Sequence, residues 1–229
     1  MSLVRSRSVF QILALLSLYL LVLPKAAISD QAPPTEVVQA ATGGLQPFLR
    51  AIPADNLAHY GFSNEAEFAQ ARLGEPLRVY TIVPDNISNY IPGTDLTSLL
   101  TATNLWYFPV LCFGEARTIL TVDLVKGEWR AVAIGSSGLA KEVRKLRTKW
   151  PRSDGYEHTF VRVFQAQSDF LVVSKDGSVK MSPLSSAALA LELEKLSDGL
   201  YGLLDPVDVI PKLAPIVGEN LRVHGTPER

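Results

Sequence analysis

The chain has one cysteine, Cys112, so no internal disulfide can form. Its three histidines, His59, His158 and His224, stand far apart. Neither His-Glu-x-x-His nor a cysteine pair occurs, which argues against a zinc site of the usual close spacing and against a covalent haem. Calcium fares no better: Asp85-Asn86 and Asp95 are the nearest approach to clustered oxygen ligands, and turn formation explains them. Gly-x-x-x-x-Gly-Lys, Gly-x-Gly-x-x-Gly and Gly-x-Ser-x-Gly are also missing, so no motif asks for a nucleotide, a cofactor or a serine nucleophile. Basic residues do not exceed acidic ones, 22 against 23, which makes nucleic acid an unlikely partner. Only one long apolar run exists, which rules out a polytopic membrane protein. With 47% hydrophobic and 20% charged residues, the 229-residue chain has ordinary globular composition.

The one apolar run lies at the start. Val9 to Leu23 is broken only by Gln11, Ser17 and Tyr19, and Pro24 ends it. Arg5, Arg7 and Lys25 are its only charges, and small residues precede Asp30. A cationic start, an apolar middle and small residues at −3 and −1 read as a secretory signal peptide over residues 1–29, cut after Ser29. The alternative is an uncleaved anchor tethering the chain to a membrane, but the run is short of the roughly 20 residues that span a bilayer. Cleavage leaves 19 basic against 23 acidic residues, a net charge of −4. The expected product is periplasmic or secreted, without a stable membrane span.

Residues 30–34 are polar and Pro-rich and read as a flexible start. Thr35 to Arg50 carries a helical stripe, Val37, Val38, Ala41, Leu45, Phe48 and Leu49. Gly43-Gly44 and Pro47 divide it into two short pieces. Asn64 with Glu67 is a helix-start signal for a helix running to about Arg72. Leu77–Val83 is a strand, and Thr94 caps a short helix to Ala102. Leu105–Phe113, Arg117–Val125 and Glu128–Ile134 are three strands joined by turns at Gly114-Glu115 and Lys126-Gly127, hence an antiparallel meander. Ser137 caps an amphipathic helix from Leu139 to Trp150. His158–Gln165, Phe170–Lys175 and Ser178–Ser182 form a second β block, its hairpin set by Asp176-Gly177. Ser185 opens a helix carrying Leu189, Leu193, Leu196 and Leu200. From Asp205 the prolines at 206, 211 and 215 predict an extended tail over 205–229 that packs on the domain.

These elements define an α+β fold: a single domain over 35–204, with a mostly antiparallel sheet of six to seven strands. Two hairpin or meander blocks, weakly suggestive of an internal repeat, make up the sheet, and amphipathic helices pack on one side of it.

The most distinctive local feature is the helix ending at Trp150. It carries Lys141, Arg144, Lys145, Arg147 and Lys149 against one acid, Glu142. In a chain of net −4 this is a basic patch suited to an acidic protein, an anionic glycan, a lipid headgroup surface or another anionic ligand. A solvated helix face, with cations favoured near its C-terminus, is the plainer explanation. Gly135–Gly138 joins a strand to this helix, where free N–H groups suit an anion, although turning the chain and capping the helix is the plainer role. Cys112 sits in the apolar run Trp106–Phe113 and reads as a buried hydrophobe, which leaves little for a Cys112–His158 dyad. Glu115, Asp123, Glu128 and Asp169 fall near strand ends and read as surface carboxylates. Asn86-Ile87-Ser88 is a glycosylation sequon, relevant only in a eukaryotic secretory pathway.

The reading these features favour is an exported, non-catalytic binding or protein-interaction domain. The alternatives are an extracytoplasmic, hydrolase-like enzyme with dispersed catalytic residues, and an inhibitor or chaperone-like partner of another exported protein.

Overall fold

A computed structural model describes residues 32–225. The expected signal peptide, residues 1–29, and the first two residues of the expected flexible start lie outside the described residues. The described chain is α+β around one mostly antiparallel sheet of eight strands. The strands are β1 (Arg72–Leu73), β2 (Leu77–Ile82), β3 (Leu100–Cys112), β4 (Glu115–Val125), β5 (Glu128–Gly135), β6 (Glu157–Val163), β7 (Ser168–Lys175) and β8 (Ser178–Pro183). The helices are α1 (Thr35–Arg50), α2 (Pro84–Ser88), α3 (Leu96–Leu99), α4 (Ser137–Lys149), α5 (Ser185–Ala190) and α6 (Pro206–His224).

Strand order is β5-β4-β3-β2-β6-β7-β8, with β1 paired to β3. Both meanders form as expected. They are joined by a parallel pair, Val79 beside Phe160 and Tyr80 beside Val161, that no local signal announces. The hairpin turns follow the backbone handedness of the strands. Phe113-Gly114, Lys126-Gly127 and Asp176-Gly177 all have positive φ at both central residues, the type I′ pattern. The first turn is thus one residue earlier than Gly114-Glu115.

Helices cover both faces, not one. Trp106, Phe108, Val110, Leu120 and Val122 point to the face under α1. Tyr80, Ile82, Val161, Phe170 and Val172 continue that face under α6. Leu77, Val79, Tyr107, Phe160, Leu171 and Val173 point the other way, toward Ala140, Val143 and Leu146 of α4. Because β side chains alternate, strands buried on both sides carry near-continuous apolar runs, and β3 and β7 do.

Four helix expectations are corrected. α1 is a single helix through Gly43-Gly44 and Pro47. Gly44 is required there, since a Cβ would lie 2.2 Å from the Ala131 Cβ on β5, so glycine lets the helix approach the sheet. The tail expected to be extended is helical over Pro206–His224: Pro206 starts α6, and Pro211 and Pro215 lie within it. Each internal proline costs about 3 kcal/mol. Burial of Val209, Ile210, Leu213 and Val217 offsets this, at roughly 1.5–3 kcal/mol for each side chain. The Ser185 helix stops at Ala190 rather than continuing to Leu200, leaving Leu189 83% exposed. The Asn64 helix is only a 3-10 turn, Glu65–Gln70, in which Glu67 accepts from the Ser63 N–H.

Caps shift as well. Asp95, not Thr94, caps α3 by accepting from the Thr97 N–H at 3.1 Å. Ser136, in the left-handed conformation, rather than Ser137, stands at the start of α4, and its side chain makes no cap bond.

Candidate functional site

α4 sits on the sheet through Ala140, Val143 and Leu146. At 100° per residue this turns Lys141, Lys145 and Thr148 away from the sheet on an outer flank that Arg144 borders, and keeps Arg147 on an inner flank beside the packing stripe. The outer flank opens into a groove of about 700 Å³. Glu115, Ala116 and Arg117 at the start of β4, and Asp198 and Leu200, complete its lining. Arg117, Lys141, Arg144, Lys145 and Lys149 bring five cations to the groove, against the carboxylates of Glu115 and Asp198.

Ion pairs bracket the groove. Arg144 donates to the Gly114 carbonyl and pairs with Glu115 at 3.2 Å. Lys149 pairs with Asp198 at 2.5 Å, and this ammonium holds the Asp198 carboxyl below its ordinary value. Arg117 approaches Glu67 at 3.8 Å. Lys141 and Lys145, between these pairs, have no carboxylate partner among the described residues. The arrangement presents unpaired ammonium groups above the buried side chains of Ala116 and Leu200. A concave site with an apolar base and a few placed charges has the form of a small-molecule pocket.

Four of the five residues expected to bind are therefore gathered here. Arg147 is not. Its guanidinium lies on the inner flank, beside the packing stripe, against Glu75 at 3.3 Å, and Arg152 meets the same carboxylate at 3.1 Å. The Arg147 side chain is only 16% exposed. Beside this cluster, His158 is buried in β6. Burial first, and the charge of Arg147 second, hold its pKa down to about 4, although the Trp150 backbone and Glu75 pull the other way.

Asp169 corrects the surface assignment of the strand-end carboxylates. It is buried, 3.6 Å from Arg162 across the β6–β7 ladder, and Ser186 Oγ donates to it at 3.1 Å. Burial raises its pKa and outweighs Arg162. Tyr107, within reach of the same guanidinium, is raised by burial too. Nothing in the sequence around Asp169 announced its depth. The opposite sign of charge on its cross-strand neighbour Arg162 is the one available hint.

Cys112 is fully buried, as expected, its thiol directed at the Glu67 carbonyl at 3.5 Å. It packs on the α1 face of the sheet, whereas His158, paired with Val173, lies on the α4 face. The two side chains cannot form a dyad.

A second cavity, about 580 Å³, opens on the α6 face between α3 and the β7–β8 hairpin. Its floor is Thr159, Val172 and Val179, and its rim mixes Glu157 and Asp176 with Lys175. The buried groups with shifted pKa values, Tyr107, His158 and Asp169, line neither this cavity nor the α4 groove.

Comparisons with protein-family models, with curated proteins and with solved structures give no match. Among the described residues no helix is long and apolar enough to cross a membrane. No group of three or more His, Cys, Asp or Glu is placed to hold a metal ion among them.

Proposed function

We propose that this chain is an exported, non-catalytic binding domain that takes an anionic ligand or the anionic surface of a partner into the α4 groove. The observation that carries the reading is the pair Lys141 and Lys145, left without carboxylates inside a groove whose other cations are already paired. Ammonium groups held in a concave site raise the local potential and favour capture of anions. The apolar base offers contact to the rest of the ligand. Export rests on the character of residues 1–29.

The test is titration of the full chain with inorganic tripolyphosphate at low salt, followed calorimetrically. Lys141→Glu with Lys145→Glu should abolish binding while the far-ultraviolet circular dichroism stays that of the wild type. Unchanged binding by the folded variant would remove the groove from the reading. The mass of the protein recovered from its exported fraction tests the leader: cleavage after Ser29 leaves Asp30 as the first residue.

A further inference from the structure

The segment between α5 and α6 places a carboxylate of the chain itself in the anion groove. Leu189, Leu193, Leu196 and Leu200 have the spacing of a continuing helix, yet the backbone turns away at Glu192, where φ is 54°. Residues 196–200 then close a tight turn. The Leu196 N–H donates to the Leu200 carbonyl at 2.7 Å, and the Leu200 N–H donates to Asp198 Oδ1 at 3.0 Å. One carboxylate oxygen thus fixes the turn, and the other, Oδ2, meets the Lys149 ammonium at 2.5 Å. Leu200 is buried by this arrangement, whereas Leu189 and Leu196 are left exposed. Apolar burial alone is therefore a poor account of why the segment turns here, and the Lys149–Asp198 contact supplies a reason.

Lys141, Lys145 and Lys149 stand four residues apart on one helix. At 1.5 Å rise per residue their stems are about 6 Å apart, about 12 Å from first to last. Two of the three are open, and the third is covered by Asp198. Lys149 also lies 5.0 Å from the centre of the Trp150 ring. That cation–π contact keeps the ammonium in place when the carboxylate leaves.

Resting on the groove reading, we propose that the ligand is a small molecule bearing several phosphate-type anions, and that Asp198 stands in for its terminal anion at Lys149 until the ligand displaces it. The size of the groove suits a small molecule. Ammonium groups act as point charges for phosphate and need no bidentate geometry. A row of three favours an oligoanion over a single anion. Asp198 thereby sets a threshold: a ligand with one anionic group is served by Lys141 and Lys145 alone, and only a longer oligoanion competes for Lys149.

Asp198→Asn tests this cleanly, because the amide oxygen can still accept from the Leu200 N–H while the competing charge is gone. Titrations of the full chain at low salt compare inorganic tripolyphosphate with inorganic phosphate. Asp198→Asn should tighten tripolyphosphate by about 3–5-fold, the scale of a partly exposed ion pair, and change phosphate affinity less than twofold. In a Lys149→Met background the gain should vanish. Tripolyphosphate binding that Asp198→Asn leaves unchanged or weakens overturns the stand-in role and leaves the groove reading intact. No binding of tripolyphosphate by either wild type or Asp198→Asn overturns both.

Discussion

The two flanks of α4 carry the same kind of residue and put it to opposite uses. On the inner flank, next to the sheet, Arg147 and Arg152 converge on Glu75 beside buried His158. On the other, Lys141 and Lys145 face an open groove between Arg144–Glu115 and Lys149–Asp198. The difference comes from helix rotation. Position 147 adjoins the stripe of Val143 and Leu146 that packs on the sheet. A charge drawn that close to a core must find a partner, because desolvation without one is costly. Positions 141 and 145 point away from the sheet and carry no such requirement. A run of basic residues is therefore not one feature: its inner members serve the fold, and its outer members are free to bind.

Acid should act on the inner flank first and most strongly. In the unfolded chain His158 titrates near the ordinary 6.5, whereas in the fold it is held to about 4. As pH falls below 6.5 the unfolded state takes up a proton that the folded state refuses. Stability should therefore fall between pH 6.5 and 4, by about 3 kcal/mol from this group, and this contribution should level off below 4. Asp169 works in the opposite sense. Its raised pKa means that the folded state gains the proton first, so acidification relieves its burial. Urea unfolding at a series of pH values checks the net slope. His158→Gln should flatten it, whatever its cost at pH 7. An equally steep loss in that variant would remove His158 as the origin.

How far such a contrast can be read from the chain depends on whether the cause is local. The hairpins at Lys126-Gly127 and Asp176-Gly177 are legible because two residues dictate the turn. The amphipathic stripe of α4 is legible too, and with it four of the groove cations. The parallel pairing of β2 with β6 is not, because it joins segments with the whole β3–β5 meander between them. α6 defeats local rules outright. Its two internal prolines, Pro211 and Pro215, argue against a long helix by propensity, and burial against the sheet overrides them. The burial of Asp169 and the assignment of Arg147 to Glu75 depend on elements distant in sequence. So does the entry of Asp198 into the groove. The groove was legible as a charge run but not as a concavity.

Smaller effects separate the flanks further. Glu75→Gln leaves the guanidinium groups of Arg147 and Arg152 without the carboxylate they share. It should cost about 1–2 kcal/mol in urea unfolding, tempered by the half-exposed position of Glu75. It should also lower the His158 pKa further, since Glu75 now opposes the fall. Proton NMR titration of the His158 ring reports that shift directly. A rise would mean that Arg147 swings away once its partner is lost.

The smallest change in stability is expected where the change in binding is greatest. Lys141→Glu with Lys145→Glu removes no ion pair among the described residues and no buried contact. Surface substitutions of this kind stay within about 0.5 kcal/mol. Reversal even places two acids beside Arg144 and Lys149, which favours the helix locally. The urea midpoint of the pair should match that of the wild type while tripolyphosphate binding is lost. A fall of about 2 kcal/mol or more would show that these lysines serve the fold as Arg147 does. The distinction between an inner flank built for stability and an outer flank left for a ligand would then collapse.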